Sequence, residues 1–230
     1  MLTLDQYQPT IRLGESFVTD ASIERDEYPH LVAELLEFFH REAGRNEALP
    51  SATAEQRHWL KALLTVRPPG PLDKSVWQRL DQLFHFEKLE RNHVNASEIQ
   101  SLAAQMNDCR YPAAERTILW QGDISLLNAD VITNAANNAL LGCFQPFHGC
   151  IDNVIHSHAG PRLREDCESI MQMQGHPEET GQAKLTRAYH LPSQYIAHTV
   201  GPIVGGGQPS AEQQAQLAAC YRNILDVCEH

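Results

Sequence analysis

The apolar residues of this 230-residue chain change their spacing once, and that change limits what it can fold into. Up to about residue 112 they recur at helical intervals, whereas from Arg116 onward short β-like runs alternate with helical ones. The first helical piece is predicted from Pro29 to Ala43, with Leu31, Leu35, Phe38 and Phe39 at helical spacing. A second runs from Ala54 to Leu64, with Trp59, Leu60, Leu63 and Leu64 on one side. It stops before Pro68-Pro69-Gly70-Pro71, where the prolines cannot continue a helix. A third covers Asp73 to Leu89, with Trp77, Leu80, Leu83 and Phe84 on its stripe. These stripes read as core packing, not as a ligand site. Asn92 to Asn107 fits either a short helix or a connector.

In the second part Thr117–Trp120, Asp130–Asn134, Lys184–Tyr189 and Tyr195–Val200 read as strands. Pro161–Gln174 reads as a helix with proline at its first position, and another helix follows from Ala211. Strands alternating with helices suggest an α/β unit with a mainly parallel sheet. The expected organisation is a helical extension over residues 1–112, then an α/β domain over residues 113–230.

The charge balance narrows the partners. With 29 acidic against 18 basic side chains and a net charge of −11, affinity for a nucleic-acid backbone is not expected. A small anion held by backbone N–H groups is compatible with that charge. No apolar run approaches the ~20 residues of a membrane helix, and the start MLTLDQYQPT lacks the pattern of a signal peptide. A cytoplasmic protein is the expectation, with neither membrane nor nucleic acid as partner. Cys109, Cys167, Cys220 and Cys228 are scattered singly, unlike a disulfide framework.

Cys143 and Cys150 differ, because they flank His148 in one short loop with Pro146 and Gly149 available to bend it. Two thiolates and an imidazole suit Zn²⁺, and three protein ligands leave a fourth position open, as in catalytic zinc sites. A structural site closed by Cys167 or His156 is an alternative, as are two buried thiols with a surface histidine. Asp152 follows two residues after Cys150. It could accept a proton as a general base or serve as a helix N-cap. His156 and His158 read as packing or surface residues.

Taken together, these residues resemble the zinc-containing, protein-ADP-ribose hydrolase branch of the macrodomain family. The resemblance rests on Gly122-Asp123-Ile124, on Asp130-Val131-Ile132-Thr133-Asn134-Ala135-Ala136-Asn137, and on the Cys143–Cys150 insertion before Ile151-Asp152-Asn153. Gly181–Thr186, Tyr189–Pro192 and His198–Pro202 match as well. It implies a mixed sheet flanked by helices, with Gly122-Asp123-Ile124 as the turn after the first core strand. By that resemblance Asp123 and Ile124 would face adenine, and Asn137 the distal ribose. Asn134 would tie backbone together beneath the sheet. Cys150, Ile151 and Asp152 would meet the ribose and adjacent phosphate, and Cys143, His148 and Cys150 would hold Zn²⁺. Asp152 would be the general base in hydrolysis of mono-ADP-ribose from modified proteins, at the anomeric carbon of the distal ribose. A non-catalytic ADP-ribose-binding module and a structural zinc protein are the rival readings.

One departure stands out. The family continues with further strands and a Ser-Thr-Gly loop after the point where this sequence stops. The C-terminal part of the domain is therefore expected to be missing, and weak or absent activity of this chain alone is one expectation. Gly205–Gly207 reads as a loop leading into a helix capped by Ser210 and Gln213, not as a phosphate cradle.

Overall fold

A computed structural model describes residues 2–19, 21–106 and 108–229. The chain begins with α1 (Leu4–Tyr7), α2 (Tyr28–Glu42), α3 (Thr53–Val66) and α4 (Lys74–Leu89). The apolar stripes meet as expected. Leu31, Val32, Leu35, Leu36 and Phe39 of α2 pack with Leu60 and Leu63 of α3 and with Leu80, Leu83 and Phe84 of α4. Each such side chain contributes about 1.5–3 kcal/mol on leaving water.

Residues 92–106 resolve the ambiguity in favour of a connector with short pieces: β1 (Val94–Asn95), a 3₁₀ turn and α5 (Leu102–Gln105), residue 107 lying outside the described residues. β1 pairs in parallel with β2 (Leu127–Asn128). Thr117–Trp120 is not a strand, contrary to its pattern. Ile118 and Leu119 are exposed, and the main-chain hydrogen bonds there are Leu102 N–H to Thr117 C=O and Thr117 N–H to Ala114 C=O, so the run has apolar side chains but no ladder among the described residues. Gly122-Asp123-Ile124 accordingly does not follow a core strand. Asp123 caps a 3₁₀ turn over Ile124–Leu126.

The sheet has the order β3 (Val131–Ala135), β5 (Tyr195–Thr199), β4 (Ala183–Arg187). β3 and β5 run parallel and β4 antiparallel, so the sheet is mixed and not mainly parallel. Alternation sends Ile132, Asn134, Thr186, Ile196 and His198 to one face, beneath α6 (Ile151–Ala159) and α7 (Pro161–Gln174). Leu185 and Ala197 face the other way, against Tyr7, Ile11 and Leu13 of the N-terminal segment and against Ile224 and Val227 of α8 (Ala211–Cys228). Tyr7 also satisfies the edge of β4, where Leu185 N–H donates to its hydroxyl oxygen at 2.7 Å. The start of α8 is as read from sequence: Gln213 N–H donates to Ser210 Oγ, and Ser210 N–H donates to Gln213 Oε1. No helix among the described residues is long and apolar enough to cross a membrane.

Two features of the core carry measurable consequences. Lys184 is 1% exposed, with Nζ 2.5 Å from Glu178 Oε2. Breaking one side of such a pair leaves a bare buried charge, so Lys184→Met is expected to cost about 3–5 kcal/mol in urea unfolding. Adding Glu178→Gln should recover part of that loss.

The second consequence concerns acid. Burial pushes His198 down to about 3, and burial followed by Arg91 and Lys61 pushes His158 down to about 4. Both lie below the ~6.5 of an imidazole in the unfolded chain, which therefore binds these protons more tightly. The stability given by the neutral rings is complete above about pH 6.5 and is lost as pH falls toward 4. Asp166, pushed up to about 6 by burial, acts in the opposite direction and gains stability on acidification. From pH 7 to 5 each histidine costs about 2 kcal/mol and Asp166 returns about 1. His156, also held below the usual imidazole range by burial, acts in the same direction as His198 and His158, so guanidinium unfolding is expected to show a net loss across that interval, smaller by about 2 kcal/mol in His158→Gln.

Candidate functional site

The site is built from the loop between β3 and α6. Asn137 closes its first turn: Ala139 N–H donates to Asn137 Oδ1 at 3.0 Å, and Asn137 Nδ2 donates to Gly142 C=O at 3.0 Å. Gly142 has φ +83°, and a Cβ there would lie 2.8 Å from the His156 ring, so only glycine lets the chain pass. A second turn is closed by His148 N–H donating to Gln145 C=O at 3.2 Å. Pro146 is its second residue, and Phe147 takes the left-handed position at φ +61°. Sequence reasoning gave the bend to Pro146 and Gly149; Pro146 is in the turn, whereas Gly149 has no left-handed φ. The ring of Phe147 instead holds a conformation that costs a side-chain-bearing residue about 1–2 kcal/mol.

This path gathers the three candidate ligands. Cys143 Sγ, His148 and Cys150 Sγ offer donor atoms all within 4.8 Å of one another, with Cys143 Sγ 3.6 Å from His148 Nδ1. His148 is exposed and both thiols are half-buried. Soft S₂N donors suit zinc, and one open side leaves room for a further ligand. Burial pushes the Cys150 thiol up, with the Asn153 N–H pulling it back, so a cation would have to displace its proton. Asn153 stitches the loop closed, its Nδ2 donating to Gln145 C=O at 3.3 Å and His148 C=O at 2.9 Å. That role has a sequence signal, an asparagine directly after Ile151-Asp152, but it needs the fold to be read.

Cys150, not Asp152, is the N-cap of α6: its Sγ accepts from Asn153 N–H at 3.4 Å. Asp152 is thereby placed in the first turn and is 5% exposed. Its Oδ1 accepts from Asn134 Nδ2 at 2.8 Å, and its Oδ2 has a longer contact of 3.4 Å from Asn137 Nδ2. Burial pushes the carboxyl up and the Asn134 hydrogen bond opposes that. His156, one turn on, has Nε2 3.6 Å from Asp152 Oδ1, and both its ring nitrogens are buried without a hydrogen bond. Burial holds it well below the usual imidazole range. It is thus a packing residue, as read from sequence, with its ring against Gly142.

Asn134 does not tie backbone together; it ties side chains. Besides Asp152, Nδ2 reaches His198 Nδ1 at 3.1 Å, and His198 Nε2 lies 2.9 Å from Thr186 Oγ1. A nitrogen facing a carboxylate is a donor, so His198 Nδ1 accepts and its proton sits on Nε2, donating to Thr186. This settles a second cluster of metal-binding types, His156, Cys167 and His198, whose donor atoms also fall within 4.8 Å of one another. His198 has no lone pair left for an ion, so that cluster is packing.

Asp123 and Ile124 lie on the neighbouring 3₁₀ turn, with Ile124 packed against the core that includes Ile155 of α6. Asp123 is exposed; Oδ1 accepts from Ser125 N–H at 2.9 Å and Ser125 Oγ–H at 2.7 Å, and Arg91 lies 3.8 Å from Oδ2. A broad groove of about 1110 Å³ elsewhere, lined by Phe17, Trp77, Arg162 and Tyr189, contains none of these residues. Its Arg162 is neutralised by Asp81 at 2.7 Å and Arg187 by Asp166 at 3.5 Å, so it offers no free charge to an anion from either.

The family described as Macro domain matches residues 133–230. A protein-ADP-ribose hydrolase of Staphylococcus aureus (strain MSSA476) is 37% identical over 197 residues, which is 85% of this chain and 70% of that protein. One of Treponema medium is 38% identical over 179 residues, 78% of this chain and 66% of that protein. Among solved structures, the Oceanobacillus iheyensis macrodomain with ADP is 40% identical, with a TM-score of 0.42 over 47% of this chain and 54% of that one. The Trypanosoma brucei macrodomain in complex with ADP-ribose is 25% identical, with a TM-score of 0.48 over 73% of this chain and 67% of that one.

The Asn134 bridge makes a separable prediction. Asn134→Leu removes the donor shared by Asp152 and His198, and two buried acceptors then lack partners. A loss of about 2–4 kcal/mol in urea unfolding is expected. Carboxyl ¹³C NMR should show the Asp152 pKa moving further up, because the bond that opposes burial is gone.

Proposed function

The chain belongs to the macrodomain family, and from that premise we propose that it acts as a zinc-dependent hydrolase removing mono-ADP-ribose from modified proteins. The reading is carried by one observation: three soft donors converge within 4.8 Å at the N-terminus of α6, and a buried carboxylate lies in that helix's first turn. Cys143, His148 and Cys150 would hold Zn²⁺. When bound, zinc supplies a Lewis acid able to polarise a ribose hydroxyl or acidify a water.

The remaining work falls to the chain's own groups. Asp152 keeps Oδ1 engaged by Asn134, leaving Oδ2 as the oxygen that accepts the proton of the attacking water. A carboxyl raised by burial is the stronger base for that task. Cys150, Ile151 and Asp152 begin α6, whose first-turn N–H groups lack intrahelical partners and favour a phosphate. Asn137 would meet the distal ribose, and Asp123 with Ile124 the adenine. Binding energy from the ADP part would then position the anomeric carbon for attack. A net charge of −11 is no obstacle when backbone and metal grip the anion.

The test is metal content and ADP-ribose release, measured together on a mono-ADP-ribosylated protein. Wild-type chain should retain zinc and release ADP-ribose. Cys143→Ala should lose both, and Asp152→Asn should keep zinc with release lowered about 100-fold or more. Full release by zinc-stripped protein would end the zinc mechanism. Zinc and ADP-ribose binding without any release would make the chain a binding module.

A further inference from the structure

We infer that the helical extension shapes the candidate metal loop, through a stack of His58 on Phe147 and through Arg164, and so sets its affinity for zinc. The inference rests on the reading of Cys143, His148 and Cys150 as a metal site, and not on the hydrolase activity.

The loop carries two aromatic residues, each next to a candidate ligand: Phe144 follows Cys143 and Phe147 precedes His148. Both are largely exposed, at 39% and 47%, so burial in the core does not hold them. Phe147 stacks on His58 of α3, with ring centroids 3.9 Å apart and planes within 10°. Like Leu140 earlier in the loop, it takes a left-handed conformation, which persists where other contacts over-determine it. His58 supplies such a contact, from outside the domain that contains the loop.

Phe144 is held by a different device. The guanidinium of Arg164 lies 4.4 Å from its ring centroid. Arg164 Nε donates to Leu141 C=O at 2.8 Å, at the base of the loop. Its other arm donates to Leu64 C=O at 3.1 Å and Arg67 C=O at 2.5 Å, at the C-terminal end of α3 where helix carbonyls lack partners. One planar cation therefore closes the end of an extension helix, the base of the loop and an aromatic ring beside Cys143. The third ligand, Cys150, is placed by α6 itself. Two of the three donors thus owe their position to α3, and a site held ready in this way loses less freedom on taking up an ion.

The experiment uses the full chain, stripped of metal and titrated with Zn²⁺ against a competing chelator. His58→Ala removes a surface ring without touching a ligand and is expected to raise the zinc Kd about 3- to 10-fold. His58→Phe, which keeps the stack, should restore it. Arg164→Lys cannot keep the planar, forked set of contacts and should raise Kd about 10- to 100-fold. Since His58 and Phe147 act through one contact, Phe147→Ala added to His58→Ala should weaken binding less than the product of the single effects. A wild-type Kd retained within two-fold by His58→Ala and Arg164→Lys, with helical circular dichroism unchanged, would overturn the inference. A wild-type chain that binds no zinc would instead remove the metal-site reading, and this inference with it.

Discussion

A single amide nitrogen holds the centre of this molecule together. Asn134 Nδ2 serves Asp152 on one side and His198 on the other, and His198 Nε2–H donates a hydrogen bond to Thr186 Oγ1. The parallel register of β3 and β5 sets Asn134 opposite His198, so sheet pairing and carboxylate position are the same fact seen from two ends. A slip of one residue would turn Asn134 to the other face and leave Asp152 without its donor. The cost of burying so much polarity is offset where Asp152, His198 and Thr186 each find a partner, while Asn134 Oδ1 and both His156 ring nitrogens stay unpaired. From Asp152 the order continues through α6 to Cys150, whose sulfur caps the helix and lies within 4.8 Å of the donor atoms of Cys143 and His148.

Arginines join the N-terminal helices to the α/β part. Arg164 reaches the end of α3, and Arg162 reaches Asp81 of α4 while lying 4.5 Å from the Trp77 ring centroid. Guanidinium groups suit this task because one plane can donate along its edge and stack on its face. The geometry of the loop thus depends on residues far from it in sequence.

Much of this was legible before any coordinates. The stripes of α2, α3 and α4 announce themselves because helices bury one side against each other, and Pro161 marks the start of α7 through the chemistry of its missing N–H. The residue types and spacing of Cys143, His148 and Cys150 sufficed to single out the loop. What escaped was set by long-range contact. Thr117–Trp120 has a strand's composition but no neighbour to pair with. Pro146 bends the loop as its type suggests, but the left-handed residue beside it is Phe147 and not Gly149, with a histidine from another helix stacked on its ring. Asn134 looks like any asparagine at a strand end until Asp152 and His198 are placed beside it. Lys184 would be expected to face water, and only Glu178 explains why it does not.

The hydroxyl of Tyr7 has a bearing on how the protein is made. Its partner, the N–H of Leu185, lies 178 residues later in the chain. At roughly 5–20 residues per second, a ribosome separates the two by roughly 9–36 s. During that interval Tyr7, Ile11 and Leu13 have emerged with no sheet to cover, and the apolar side chains must wait in the company of the extension helices or of a chaperone. Residues translated early are therefore among the last to find their place, and one edge of the sheet stays unguarded until they do.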